Sequence, residues 1–333
     1  MAQDRIAVLG AGSWGTALAL LLARNGVPTR LWGWNAEEMA AMAEKRENTR
    51  YLPGETFPAM LSVESELEAS VDGVRDILIV VPSHGFVDLL QQLKPMLAND
   101  ARIAWASKGL VPETGSLLSE AVKEVLGPRP MAVLSGPTFA KELARGVPSA
   151  AALAANDEAF SAALVRRFHN TRFRIYCTDD LVGVQLGGVV KNIIAVGAGM
   201  SDGLGFGANT RAALLTRGLA ELVRLGRAMG AKVETLYGLA GLGDLLLTAT
   251  DDQSRNRRFG LALGQGKTIQ EAIDAIGQVV EAVRNAKVVF HLAQRLSVDM
   301  PIAEVIYQVL YCQLSPAKAA ELLLTRDLKP EGI

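Results

Sequence analysis

The chain has 333 residues, half of them apolar and 21% charged, with a formal charge of -1. That length favours two domains over one, the apolar share excludes a disordered chain, and the near-neutral charge argues against a nucleic-acid partner, which selects a strong basic excess. Two cysteines, Cys177 and Cys312, far apart and without metal spacing, fit a reducing cytoplasm and read as ordinary core residues. Residues 1–5 run directly into an apolar stretch and leave no room for a signal peptide.

Arg5-Ile6-Ala7-Val8-Leu9 reads as a buried parallel strand, and residues 16–25 carry apolar side chains at helical spacing up to a left-handed cap at Gly26. Between them stands Gly10-Ala11-Gly12-Ser13-Trp14-Gly15. In a strand-turn-helix setting each glycine of this GxGxxG has a separate task. Gly10 permits the tight turn, Gly12 removes a side chain so that backbone can approach a pyrophosphate, and Gly15 lets the helix pack close to the sheet. The helix N-terminus then faces the phosphates. The setting, more than the glycines alone, points to a dinucleotide.

A second strand is predicted at 29–34 and a polar helix at 36–46. At the end of that strand an NAD enzyme usually carries an acid for the ribose hydroxyls, but this chain has Trp34-Asn35, with the nearest carboxylate at Glu37. The omission leans toward a 2′-phosphate, for which Arg30, Lys45, Arg46 and Arg50 are nearby cations. Further strands at 76–81, 102–106, 131–134 and 149–154 alternate with helical or turn-rich stretches. The rhythm implies an α/β fold: an N-terminal Rossmann-type domain, residues 1–180, with a doubly wound, mostly parallel sheet and helices on both faces. Ligands on such a sheet bind beyond the carboxyl ends of the strands. Those ends read Val81-Pro82-Ser83, Ala106-Ser107-Lys108-Gly109 and Leu134-Ser135-Gly136-Pro137.

Past residue 180 helical periods take over, which implies a C-terminal all-α domain, residues 181–333. Helices are predicted at 181–200, 209–229, 256–264, 268–276, 283–296, 301–310 and 315–324. The first is long enough to cross a bilayer. Gln185, Lys191 and Asn192 in its middle argue against an integral membrane span, because a lone lysine there costs roughly 3 kcal/mol on insertion scales. Glycine-rich joints at 201–207 and 238–244 break the domain where a ligand can come close.

Several residues carry candidate chemistry. Lys191 lies among apolar and small residues on any helical reading, and burial would lower its pKa to where it gives or takes a proton near neutrality; the alternative is a lysine whose head reaches water. Asp244, after three glycines in seven residues, suits either a partner for that lysine or a helix cap. Ser254-Arg255-Asn256-Arg257-Arg258 gathers three guanidiniums before a helix, which suits a phosphate, although basic runs also make solvated faces. Lys108, on the turn after a buried strand, suits a second anionic or hydroxyl group. His84, His169 and His291 show no ligand spacing, and no metal motif is present.

Seven phrases in order, GAGSWG (10–15), NTRYLPG (48–54), SKGL (107–110), SGPTFA (135–140), KN (191–192), GLGDL (241–245) and SRNRRFG (254–260), resemble the bacterial-type NAD(P)-dependent sn-glycerol-3-phosphate dehydrogenases over nearly the whole chain. The resemblance implies reversible hydride transfer between nicotinamide and the C2 carbonyl of dihydroxyacetone phosphate, giving sn-glycerol 3-phosphate for phospholipid synthesis. It implies Lys191 as general acid and base with Asp244 its partner, and substrate contacts from Lys108, Gly136, Thr138, Ser254, Arg255 and Asn256. Cofactor contacts implied besides the glycine turn are Ser13, Trp14, Trp34, Lys108, Ala140, Arg255, Val279 and Glu281. The cofactor implied is NAD(P), and the missing acid after the second strand leans toward NADPH. The family suggests a homodimer. Residues 281–287 depart from the family, which commonly has glycine and an aromatic after the glutamate. Two rival readings remain: a β-hydroxyacid or ketopantoate-type reductase, whose substrate carries a carboxylate, and a dinucleotide-sensing module without turnover.

Overall fold

A computed structural model describes residues 5–327. Residues 1–4, on which the signal-peptide reading rests, and 328–333 lie outside the described residues. The chain forms two compact units, one of residues 1–107 with 117–181 and one of residues 108–116 with 182–333. A single boundary at 180/181 therefore leaves out an excursion: residues 108–116 belong with the helical unit. The Arg295 guanidinium donates to the Thr114 carbonyl (2.9 Å) and holds that segment there.

The first unit is built on an eight-stranded sheet in the order β3-β2-β1-β4-β5-β6-β7-β8. Its strands are β1 (Ile6–Leu9), β2 (Thr29–Trp32), β3 (Leu61–Glu64), β4 (Asp76–Ile79), β5 (Arg102–Trp105), β6 (Met131–Ser135), β7 (Ser149–Ala155) and β8 (Phe173–Thr178). The helices are α1 (Ser13–Arg24), α2 (Ala36–Lys45), α3 (Leu67–Val71), α4 (Phe86–Leu93), α5 (Leu118–Leu126), α6 (Ala140–Ala144) and α7 (Glu158–Phe168). Strand order reverses at β1, where Ile6 is paired with Thr29 on one side and Asp76 on the other. Pairing is parallel from β3 to β6; β7 runs antiparallel to β6 and parallel to β8. All four residues of β1 are buried, as a strand covered on both faces requires.

The sequence reading lacks β3 and β8. Both are edge strands with little to bury: only Leu61 of β3 and Phe173 of β8 are in the core. Cys177, expected inside, is exposed on β8, and Cys312, just past the end of a later helix, is exposed as well. An edge strand and a helix end each leave one side to solvent, so neither thiol is a core residue.

The second unit contains α8 (Leu181–Gly203), α9 (Ala208–Ala228), α10 (Val233–Tyr237), α11 (Asp244–Thr250), α12 (Arg255–Gly264), α13 (Ile269–Ile276), α14 (Glu281–Arg295), α15 (Pro301–Tyr311) and α16 (Pro316–Leu324). Residues 183–201 of α8 are all buried, which explains a helix that is apolar on every face. It is the one helix among the described residues long and apolar enough to cross a membrane, and 89% of that stretch is buried here. Small residues bring its neighbours to backbone contact. A Cβ on Gly187 would stand 2.2 Å from the Ala240 carbonyl oxygen, and one on Gly199 2.0 Å from that of Arg257. The α10–α11 region, read as a glycine-rich joint, is helical with a π-helical turn at Leu239–Gly243 between the two.

Candidate active site

In the first unit the glycine turn has the geometry its sequence demands. Gly10 has φ +122°, and a Cβ there would stand 2.6 Å from the Val80 carbonyl oxygen; one on Gly15 would stand 1.8 Å from the Gly10 carbonyl oxygen. Gly12 differs, because a Cβ there would meet nothing within 4 Å. Two glycines therefore close the strand–helix junction, and the third leaves room in front of it. Gly12 is also the N-cap of α1 and no side chain caps the helix, so its first amides suit a pyrophosphate. This is the cradle a dinucleotide needs.

The NTRYLPG phrase supports the turn. The buried Asn48 amide donates to the Ala11 carbonyl (2.9 Å) and to Thr16 Oγ1 (2.8 Å), and Ser13 Oγ donates to the Tyr51 carbonyl (2.8 Å). Trp14 buries an indole N–H with no partner among the described residues. Trp34, just past β2, is 84% exposed, and Asn35 caps α2 by accepting from the Glu38 amide (3.0 Å). Of the four cations named for a 2′-phosphate, Arg30 is held by the carbonyls of Ala69 and Asp72, and Arg46 by those of Phe57 and Pro58. Arg50 instead pairs with Glu38 in the first turn of α2. Gly136 follows β6 with φ +154°, close over Ala151. Thr138 Oγ1 donates to its carbonyl (3.3 Å), and Ala140 opens α6.

In the second unit Lys191, Asp244 and Lys108 meet. The π-helical turn ends at Gly243, so Asp244 is the first residue of α11 and its side chain turns inward instead of capping the helix. Its Oδ1 accepts from Lys191 Nζ (2.5 Å) and its Oδ2 from Lys108 Nζ (2.6 Å), although Lys108 lies 136 positions away in sequence. Thr248, one turn on, accepts from Lys191 Nζ (2.8 Å) and donates to Asp244 Oδ1 (3.3 Å). The Lys191 side chain is 8% exposed and that of Asp244 1%. Lys191 thus does not reach out to water. Burial lowers its ammonium most, the Asp244 carboxylate opposes that and the Lys108 charge adds to it, and together they bring it down to about 7.

Next to this cluster Asn192 Oδ1 accepts from the Asn256 amide (2.8 Å), while Asn256 Oδ1 accepts from the Ala282 amide (3.3 Å). Ser254 is the N-cap of α12, its Oγ accepting from the Arg257 amide (3.2 Å). Arg255 reaches Gln278 (3.3 Å). Val279 is half-exposed beside it, and Glu281, at the start of α14, has a buried carboxylate oxygen without a partner. Burial raises the Glu281 carboxyl and the Arg255 guanidinium opposes the rise. The three arginines read together as a phosphate grip do not act alike: Arg257 is buried and paired with Asp202 and Asp252. No group of histidine, cysteine and carboxylate side chains suited to a metal occurs among the described residues.

Sequence reasoning assigned no role to Thr248, Asn48 or Asn192. Thr248 follows Asp244 by four residues, a helical neighbour that becomes visible only once residues 244–250 are known to be a helix.

Models of the NAD-dependent glycerol-3-phosphate dehydrogenase N-terminus and C-terminus match residues 5–161 and 180–321. The chain belongs to this dehydrogenase family. It is 59% identical to glycerol-3-phosphate dehydrogenase [NAD(P)+] of Shewanella frigidimarina over 330 residues, 98% of each chain. The crystal structure of glycerol-3-phosphate dehydrogenase from Coxiella burnetii is 50% identical, with TM-score 0.96 over 98% of this chain and 100% of that one. The Saccharomyces cerevisiae enzyme is 27% identical with TM-score 0.83, covering 96% and 99%. Membership makes the chain an NAD(P)-dependent oxidoreductase, and the glycerol-3-phosphate dehydrogenase activity expected from the seven phrases follows from it.

Proposed function

We propose that this dehydrogenase reduces dihydroxyacetone phosphate to sn-glycerol 3-phosphate, reversibly, with Lys191 delivering the proton. The observation that carries the reading is the buried Lys191 ammonium on Asp244, poised near neutrality. When bound, the nicotinamide supplies the hydride to C2. Negative charge then develops on the carbonyl oxygen, and an ammonium beside it stabilises that charge and donates the proton. Asp244 and Thr248 fix the Nζ and occupy two of its three N–H donors, leaving one direction for the substrate oxygen. In the oxidative direction the neutral amine takes the proton back. Lys108, on the other Asp244 oxygen, adds positive potential that works with burial to lower the Lys191 ammonium.

The substrate phosphate does not react, so it serves as a handle whose binding energy positions the carbonyl. Arg255, Asn256 and Ser254 at the start of α12 suit it, with Gly136 and Thr138 as further substrate contacts. The dinucleotide lies on the 10–15 turn, with Ser13, Trp14, Trp34, Lys108, Ala140, Arg255, Val279 and Glu281 as contacts. Residues 1–180 act as the cofactor domain and 181–333 as the substrate domain, with the 108–116 segment joining the latter. The end of β2 offers Trp34 and Asn35 and no acid, and Arg50 stands by α2, which favours NADPH over NADH. The enzyme works as a cytoplasmic homodimer and feeds phospholipid synthesis.

The test is NADPH oxidation with dihydroxyacetone phosphate against pyruvate-like acids, in the parent and in Lys191→Met. Turnover with the phosphorylated triose alone is expected, reduced roughly 10²–10⁴-fold in the variant with NADPH affinity kept. Near-parental turnover in Lys191→Met sinks the assignment.

A further inference from the structure

Arg257 poses a question that the phosphate grip leaves open. It sits in the first turn of α12, two residues after Arg255, yet its guanidinium faces the other way. Its Nη2 donates to Asp202 Oδ2 (2.7 Å) and its Nη1 to Asp252 Oδ1. Asp202, in the last turn of α8, also takes both oxygens to Arg211 Nη1 (2.9 Å each) in the first turn of α9. Asp252 lies in the connector that leads from α11 into α12. One side chain thus ties together the end of α8, the incoming connector and the first turn of α12.

The start of α12 is pinned to α8 at a second point, where Asn256 donates to Asn192 beside the catalytic lysine. Beside these ties the helices touch backbone to backbone. A Cβ on Gly199 would stand 2.0 Å from the Arg257 carbonyl oxygen, and one on Gly260 2.0 Å from that of Val196. That contact fixes how closely the helices approach, and the ties at Asn256 and Arg257 add a direction to the first turn. A guanidinium buried against Asp202 gives little net stability over an apolar filling, and its pair with Asp252, whose side chain is 81% exposed, adds little more. What an arginine fork gives is direction, because its planar donors fix both distance and angle.

We propose that Arg257 is a positioning residue for the phosphate handle: through Asp202 and Asp252 it sets the first turn of α12, and so decides how strongly the enzyme prefers a phosphorylated triose. The inference rests on the reading of α12 as the phosphate site. Displacing a handle by about an ångström costs up to about a hundredfold in rate, so a residue that never touches substrate acquires a large lever.

The experiment compares kcat/KM for dihydroxyacetone phosphate and for unphosphorylated dihydroxyacetone in the parent, Arg257→Met, Arg257→Lys, Asp202→Asn, the Arg257→Met/Asp202→Asn double variant and Arg255→Met. The expected result for Arg257→Met is a preference ratio about tenfold lower, carried by the phosphorylated substrate, with the unphosphorylated one within about twofold of the parent. Lysine at 257 restores part of the ratio, since an ammonium meets one carboxylate but not two in fixed geometry. The double variant is no worse than Arg257→Met, because both changes cut one tie.

Asp202→Asn separates positioning from direct contact. Freed from its acid, a phosphate-binding Arg257 would hold substrate as well or better, whereas a positioning Arg257 loses its hold and the ratio drops. Equal losses for both substrates, or an unchanged ratio in Arg257→Met or Asp202→Asn while Arg255→Met lowers it, overturns the proposal and leaves the phosphate site intact. An unchanged ratio in Arg255→Met removes the phosphate reading and this inference with it. Asp202→Asn and Arg257→Lys, which preserve shape or charge, keep the test decisive if Arg257→Met does not fold.

Discussion

The two units solve different problems with different parts of the chain. The glycine turn of the first unit is contiguous, six residues from Gly10 to Gly15, and works through backbone: amides at a helix start and the space left by a missing side chain. The proton site of the second is scattered. Lys191 and Asp244 are 53 positions apart and Lys108 and Asp244 136, and what joins them is one buried carboxylate. A phosphate is recognised by geometry that a short peptide fixes locally, while a lysine that titrates near neutrality requires desolvation and a measured dose of neighbouring charge. That requirement is met only by tertiary structure.

The loss of turnover in Lys191→Met stands first among the ways to probe this contrast. After it comes a pair within the glycine turn itself. Gly15→Ala places a methyl against the Gly10 carbonyl and is expected to lower stability by several kcal/mol, on the order of an overpacked core, read by denaturant unfolding. Gly12→Ala adds a methyl in open space, so the unfolding midpoint holds while the NADPH Kd, read by fluorescence titration, rises about tenfold or more. Equal behaviour of the two would dissolve the distinction between a glycine that packs and a glycine that makes room.

The scattered site is sharpened by pH. Reduction needs the Lys191 ammonium, so its kcat/KM is expected to fall as pH rises through about 7, with oxidation rising over the same window. Asp244→Asn removes the charge that raises the lysine, so the reductive limb moves to lower pH along with its loss of rate. A profile unmoved by that change would take the carboxylate out of the tuning.

Glu221 asks whether burial alone makes a pH-sensitive group in the same unit. It lies in α9, almost wholly buried, and accepts from the Ile302 (2.6 Å) and Ala303 (3.1 Å) amides at the start of α15. Burial lifts its carboxyl from 4.5 to about 7 against those two hydrogen bonds. Raised in the folded state, it contributes stability in full below about 4.5 and loses it as pH rises through about 7. Glu221→Gln is expected to flatten that slope in unfolding measured across the window, with catalysis unchanged. The smallest effect is expected at Arg50, paired with Glu38 at the surface. Arg50→Ala should cut the NADPH-over-NADH ratio by about fivefold, the scale of one exposed charge contact, read from paired kcat/KM values.

How much of this was legible follows the same division. β1, the glycine turn and α1 were plain because each depends on near neighbours, and the doubly wound sheet followed from the βα rhythm. β3 and β8 escaped because edge strands bury one residue where central ones bury four. Lys191, Asp244 and Lys108 were each visible as candidates and the pairing of Lys191 with Asp244 was expected, but the place of Lys108 on the same carboxylate was not, since no local pattern encodes a contact across 136 residues. The π-helical turn decides between the two local readings of Asp244: after a loop it suits a cap or a lysine partner, and one glycine-rich helical turn points it inward. The arginine run misled through composition, which counts three guanidiniums without saying that one faces two carboxylates.

The excursion at 108–116 has a consequence for how such an enzyme can be rebuilt. The chain passes between its units at 107/108, at 116/117 and again at 181/182, so no single cut yields two self-sufficient halves. A cofactor module transplanted from another reductase by fusion at 181 would bring along a foreign version of the loop that supplies Lys108, and with it a mismatched partner for the resident aspartate. Recombination in this lineage therefore has to graft nine loop residues as well as the obvious joint, which makes cofactor exchange by point substitution on α2 the shorter route than exchange of modules.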